Sequence, residues 1–217
     1  MRLLIPMPVI LVANSKGGVG KSTVASNLAG FYAGRGERTM LGDLDRQQSV
    51  GGWLRLRPDS AATITSWDFS ANGVAKPPRG VTHIVLDTPA GIDGAALKEA
   101  VRVAAKIIVP CQASLFDIQA THAFLRKLAQ HGATTSNGRV AVLGTRVDAR
   151  TRAATQLERY VQDNNVPFLG FLRDTQNYVQ LAAQGLTLWD VAPARVQLDI
   201  EQWTPIIHWT SNGRRAV

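Results

Sequence analysis

Residues Ser15 to Thr23, SKGGVGKST, decide how this chain is read. They follow an apolar run, Val9 to Ala13, and open a stretch of helical period that continues to Arg35. Consecutive backbone N–H groups can converge on one anion only where side chains do not crowd the turn, and Gly17, Gly18 and Gly20 give that freedom. The helix beginning at Lys21 adds the positive end of its dipole. Lys21 is spaced to reach β- and γ-phosphate oxygens. The Ser22 hydroxyl is spaced to join the shell of a Mg²⁺ bridging those phosphates, and Thr23 is a second hydroxyl in the first turn. A glycine turn alone is often structural, but Lys-Ser directly after Gly20, between strand and helix, marks a nucleotide phosphate loop. The ordinary pattern has glycine where Ser15 stands and does not call for Lys16.

Outward from the loop, apolar runs alternate with helical stretches, as successive βα units of a mainly parallel sheet require. Strands are expected at Val9–Ala13, Thr39–Asp43, His83–Thr88, Lys106–Pro110, Arg139–Thr145 and Phe168–Phe171. Helices are expected at Lys21–Arg35, Gln47–Arg57, Gly94–Ala104, Leu115–His131, Thr151–Asn164 and Thr175–Gln184. A last helix is expected over Val196–Thr210, started or kinked by Pro205. Ser70–Gly80, rich in Pro and Gly, reads as a surface loop and not as a domain boundary. The expected fold is α/β, a twisted, mainly parallel sheet with helices on both faces, in one domain over residues 1–217. Strand order does not follow from the sequence.

Apolar residues make up 45% and charged residues 18%, too hydrophobic a balance for a disordered chain. The single cysteine, Cys111, excludes an internal disulfide, and His83, His122, His131 and His208 are too scattered for a zinc site. No apolar stretch approaches the roughly 20 residues of a membrane span. A cytoplasmic protein is expected. Net charge is +8, and 18 of the 24 basic residues are arginine, whose forked donors suit phosphate oxygens, so a polyanion partner competes with plain solubility as its reason.

Two further strands end in acids. GDLDRQQS places Asp43 and Asp45 after the second strand, and HIVLDTPAG places Asp87 after the third, where open α/β sheets hold ligands. Asp87 has the form of a Walker B carboxylate and is expected to hold Mg²⁺ through water. A turn-forming role is the bland alternative for Asp43 and Asp45.

Lys16-Gly17-Gly18-Val19-Gly20-Lys21-Ser22-Thr23 resembles the deviant Walker A box of the ParA/MinD family of P-loop ATPases, nearest to its small ParA-type members. Asp43-Leu44-Asp45-Arg46-Gln47 resembles that family's Asp-x-Asp-Pro-Gln segment, with Arg46 in place of proline. Val109–Thr121, Leu143–Thr151 and Phe171–Asp190 extend the likeness, with Thr145 standing where relatives often carry an asparagine beside Arg146, close to adenine. The resemblance implies nucleotide binding by Lys16, Gly17, Gly18, Val19, Gly20, Lys21, Ser22, Thr23 and Arg146, and metal binding by Ser22, Asp43 and Asp87. Lys16 would touch the nucleotide of a second subunit, so that ATP drives homodimerisation, and Asp45 would orient the attacking water beside Lys16 and Lys21.

The family implies a slow, Mg²⁺-dependent ATPase that rests on DNA without sequence preference, nucleoid-associated, and positions a plasmid, chromosome region or protein assembly. A ParB-like or other cargo-bound protein would stimulate hydrolysis. With no helix-turn-helix expected ahead of the loop, DNA contact falls to Arg150, Arg152, Arg173, Arg195, Arg214 and Arg215. Beside this reading stand a non-enzymatic, nucleotide-gated interaction module that binds ATP and barely turns it over, and two rival enzymes. One is a MinD-like membrane-surface ATPase using Trp203, Ile206, Ile207 and Trp209 as an apolar face, against which packing of that face on the core is preferred. The other is a carboxylate-activating ligase of the dethiobiotin or cobyrinate synthetase kind.

Overall fold

Val9–Val12 (β1) is buried along its whole length, and its side chains alternate between two apolar layers. Ile10 and Val12 pack with Val24, Leu28 and Trp203 on one face. Val9 and Leu11 pack with Leu97, Phe124 and Leu157 on the other. A strand buried on both faces needs an unbroken apolar run, and VILV is one. The structure, a computed structural model, describes residues 8–44, 49–67, 69–70, 73–74 and 77–211.

After β1 come α1 (Lys21–Gly34), β2 (Thr39–Asp43), α2 (Ser49–Leu56), β3 (Ile64–Trp67), β4 (Phe69–Ser70), β5 (Gly73–Val74) and β6 (His83–Asp87). Then follow α3 (Gly94–Val103), β7 (Lys106–Cys111), α4 (Leu115–Gln130), β8 (Val140–Thr145), α5 (Arg152–Asp163) and β9 (Phe168–Leu172). The last elements are α6 (Gln176–Ala182), a 3-10 turn at Leu188–Asp190, and α7 (Pro193–Ser211). Seven strands form one parallel sheet in the order β3-β2-β6-β1-β7-β8-β9. β1 lies between β6 and β7, so the connections leaving it and its neighbours diverge at the centre of the sheet, and a crevice opens there at the carboxyl edge.

The expected strands and helices are present within one to three residues at most ends, and three differences have physical causes. β3 was not expected: its burial runs in, out, out, in, with Thr65 and Ser66 exposed, so this edge strand has no apolar run to signal it. At the start of Ser70–Gly80, the expected loop, Phe69–Ser70 and Gly73–Val74 form a short antiparallel pair that begins one residue before it. α7 begins at Pro193 and its non-helical residue is Val196 (φ −129°, ψ 20°), while Pro205 lies inside the helix. Proline suits a first helical turn, and the exposed Pro205 gives up only a bond to a carbonyl on the solvent side.

Trp203 and Ile206 are fully buried, and Ile207 and Trp209 pack against the same core. The face that a membrane-surface helix would use is therefore occupied by α1 and the sheet. Among the described residues no helix is long and apolar enough to cross a membrane.

Candidate functional site

The phosphate loop hangs between the end of β1 and the start of α1, at the centre of the crevice. Gly18 and Gly20 have φ of +76° and +82°, values that side chains resist, which is why the turn is glycine there. Gly20 brings no side chain to cap α1, whereas Asp93, Ser114, Thr151 and Thr175 cap α3, α4, α5 and α6. The first N–H groups of α1 therefore point into the crevice for an anion to meet.

The loop is tied from every side. Ser15 accepts the Gly91 N–H at 2.8 Å, Gly18 accepts from Gln112 Nε2 at 3.1 Å, and Val19 accepts the Thr145 hydroxyl at 2.8 Å. Asn14, fully buried, donates to the Pro110 carbonyl at 2.8 Å and to Thr121 Oγ1 at 3.0 Å, and its Oδ1 accepts the Lys16 N–H at 3.1 Å. A single side chain thus joins β1, β7, α4 and the loop.

The two lysines differ. Lys21 is 7% exposed and its ammonium donates to the Lys16 carbonyl at 2.9 Å, while the Lys16 side chain lies exposed on the rim. Ser22 Oγ donates to Asp87 Oδ2 at 2.6 Å. Burial, partly countered by the Ser22 bond, pushes Asp87 up to about 7 from 3.8, and the charge of Asp43 adds to the rise. Asp43 and Asp87 are register partners on β2 and β6. Asp43 Oδ2 accepts the Val50 and Gly51 N–H groups at 3.0 and 3.3 Å, so it holds the start of α2 from beside the loop.

Thr23 leads into a cleft of about 270 Å³ whose wall includes Gly20, Thr145, Arg146, Arg173 and Tyr178. Arg146 has φ +55°, a left-handed turn that ends β8 at the mouth of this cleft. Thr145, in the place of the expected base-side asparagine, spends its hydroxyl on the loop carbonyl of Val19.

The sequence-predicted residues from Lys16 to Thr23, with Asp43, Asp87 and Arg146, thus meet at one crevice. Arg173, one of the expected DNA contacts, lies instead in the cleft wall beside them, where its Nε donates to Asp199 at 2.5 Å. Arg150, Arg152 and Arg195 are exposed, and Arg150 is paired with Asp148 at 3.0 Å. Asp45, Arg214 and Arg215 lie outside the described residues. Sequence reasoning missed Asn14, Gln112 and Asp199. Asn14 had a readable signal, a polar residue closing an apolar strand directly before the loop. Asp199 had none, because its partners are 22 and 26 residues away.

Residues 10–188 match the model of the CobQ/CobB/MinD/ParA nucleotide binding domain. The chain is 31% identical to the maintenance of carboxysome distribution protein A of Gloeobacter kilaueensis, over 83% of each chain. It is 30% identical to the chromosome-partitioning ATPase Soj of Thermus thermophilus, over 69% of this chain and 73% of that one. A plasmid partition protein of Borrelia burgdorferi, solved with AMPPNP, shares the fold with a TM-score of 0.73 at 17% identity, covering 95% of this chain and 99% of its own. The match spans most of the chain and includes the loop, both strand-end acids and the cleft wall, and the chain therefore belongs to the CobQ/CobB/MinD/ParA nucleotide-binding family.

Proposed function

We propose that this chain is a Mg²⁺-dependent ATPase of ParA type. In this reading ATP pairs two copies, the pair rests on duplex DNA without sequence preference, and a cargo is positioned until a cargo-bound, ParB-like partner stimulates hydrolysis. The observation that carries it is the division between the lysines, Lys21 buried beneath the loop and Lys16 exposed on its rim. Lys21 serves the nucleotide of its own subunit. Lys16 is left to face a neighbour's, where it offsets the repulsion between two triphosphates brought together. The carboxysome-distribution and chromosome-partitioning relatives support the positioning role.

The residues fit the cofactors. Two glycines in left-handed turns and an uncapped helix start present N–H donors to phosphate. Ser22 Oγ and Asp87 Oδ2, 2.6 Å apart, are hard oxygen donors of the kind Mg²⁺ takes alongside phosphate and water. Mg²⁺, when bound, supplies positive charge to the β- and γ-phosphate oxygens. Ser22 and Asp87 would hold it, and Asp43 would keep α2 and the carboxylate pair in register. Lys21 and Lys16 would counter the charge that develops on the transferred group, and Asp45 would orient the attacking water.

Arg152 and Arg195 are exposed and available for phosphate contact, Arg150 is exposed but paired with Asp148 and would exchange that partner for phosphate, and Arg214 and Arg215 lie beyond the described residues. A pair of chains carries twice the +8 of one, about +16 before nucleotide is counted, which suits backbone contact weakened by salt. The test is a titration of unrelated duplex DNAs with ATP, ADP or no nucleotide at two salt concentrations. Binding that needs ATP, ignores sequence and weakens with salt is expected. Indifference to DNA under every condition would sink the DNA step, and failure of Lys21→Ala to lose ATP binding would sink the site.

A further inference from the structure

Facing the phosphate loop, the far wall of the cleft is built from the end of β9 and the segment after it, including Leu172, Arg173, Thr175 and Tyr178. Much of this wall is fastened by α7. Asp199, fully buried in α7, accepts Arg173 Nε at 2.5 Å and Asn177 Nδ2 at 2.6 Å. Gln202 Oε1, one turn on, accepts the Arg173 N–H at 3.0 Å, and Trp203 Nε1 donates to the Tyr178 hydroxyl at 3.0 Å. Asp199, Gln202 and Trp203, along one side of α7, are thus bonded to the cleft wall.

A carboxylate wholly removed from water is expensive to bury, and an apolar residue of similar size would pack in its place at no such cost. What the carboxylate supplies is direction. With Nε committed to Asp199, the Arg173 guanidinium is fixed in one plane, and Nη1 and Nη2 carry its remaining N–H donors. Arg173 is a residue of the wall that Gly20 and Thr23 share, so those donors belong to the end of the site beyond the phosphates.

We infer that Asp199 is a positioning residue for the nucleoside end of the site, holding Arg173 and the first turn of α6 so that Arg173 donates to the base or ribose of the bound nucleotide. This rests on the reading of the crevice as a nucleoside triphosphate site. It makes Arg173 a determinant of nucleotide affinity, and it places α7, remote in sequence from the phosphate loop, in control of how the nucleoside is held.

Binding of ATP and of inorganic tripolyphosphate, each with Mg²⁺, separates the nucleoside end from the phosphate end. In the full chain, Asp199→Asn keeps the side-chain size but turns one acceptor into a donor, and it should raise the Kd for ATP about 10-fold, the effect of one charge-assisted hydrogen bond. Its Kd for tripolyphosphate should stay within about two-fold of the parent's. Arg173→Gln, whose amide can still donate to the buried Asp199, should show the same split, and the double variant should be no worse than the weaker single. An Asp199→Asn protein that folds and binds ATP as the parent does overturns the inference, as does equal loss for ATP and tripolyphosphate. If Asp199→Asn fails to fold, Arg173→Gln alone decides: parental ATP affinity overturns the inference, and selective loss of ATP supports it. A parent chain that binds neither ligand overturns the nucleotide-site reading itself, a result distinct from either of these.

Discussion

Asn14→Ala removes a side chain that is fully buried and makes three hydrogen bonds, to the Pro110 carbonyl, to Thr121 Oγ1 and from the Lys16 N–H. At about 1 kcal/mol for each bond, the loss of stability should be about 3 kcal/mol. For a chain of 217 residues that lowers the melting temperature by roughly 6 to 12 °C, and the urea midpoint by about 1 to 1.5 M. The five tryptophans give a fluorescence signal for the urea transition. Asn14→Asp makes the reasoning sharper. It keeps an acceptor for the Lys16 N–H but sets a carboxylate oxygen against the Pro110 carbonyl, so it should destabilise at least as much as alanine. ATP affinity should fall in Asn14→Ala because the Lys16 amide loses its tether, and less in Asn14→Asp, which keeps that acceptor. An Asn14→Ala midpoint within about 0.2 M of the parent's, or an Asn14→Asp protein more stable than Asn14→Ala, would refute the idea that this side chain ties sheet to loop.

Three other outcomes follow from the same geometry. Because burial raises Asp87 to about 7 from 3.8, between those values the unfolded chain has released a proton that the folded chain retains. Stability of the protein in EDTA without nucleotide should therefore fall as pH rises from about 4 to 7 and level off above, by at most about 4 kcal/mol, and Asp87→Asn should flatten that slope. Melting temperatures recorded from pH 4.5 to 8 check it, and a parent slope unchanged in Asp87→Asn counts against it. Gly185→Ala should destabilise by about 2 to 4 kcal/mol, since Gly185 has φ +68° and an added Cβ would lie 2.4 Å from Arg57 N and Leu56 C. A thermal melt within 2 °C of the parent would contradict that. Thr145→Val, close in volume, should cost about 1 kcal/mol and weaken ATP binding several-fold by releasing the Val19 carbonyl, which isothermal titration would detect. Unchanged affinity would show that the tether does not shape the loop.

The phosphate end of the site was legible because its chemistry is local. Nine consecutive residues carry the turn, the lysine and the hydroxyl, and the strand ahead of them is marked by an apolar run that only a doubly covered strand requires. Asp87 was legible for a related reason, as an acid closing four buried positions of β6. The edge strand Ile64–Trp67 was not, since half of it faces water. Thr145 could be found but not assigned, because whether its hydroxyl meets a base or the Val19 carbonyl depends on how closely β8 approaches the loop.

The nucleoside end lies beyond local pattern altogether. Its wall is made where the segment after β9, α6 and α7 converge, and the contacts that fasten it join residues 22 to 29 positions apart. Seen along the sequence, Asp199 is one acid among the polar positions of an amphipathic helix. Only packing shows it buried, with the cleft wall as its partners. The two halves of the site therefore differ in how they can change. Loop residues are bound by the geometry of phosphate, which every nucleoside triphosphate shares. The wall held by α7 has no such constraint, so substitutions along Asp199, Gln202 and Trp203 are the route by which nucleotide preference could shift while the phosphate loop stays intact.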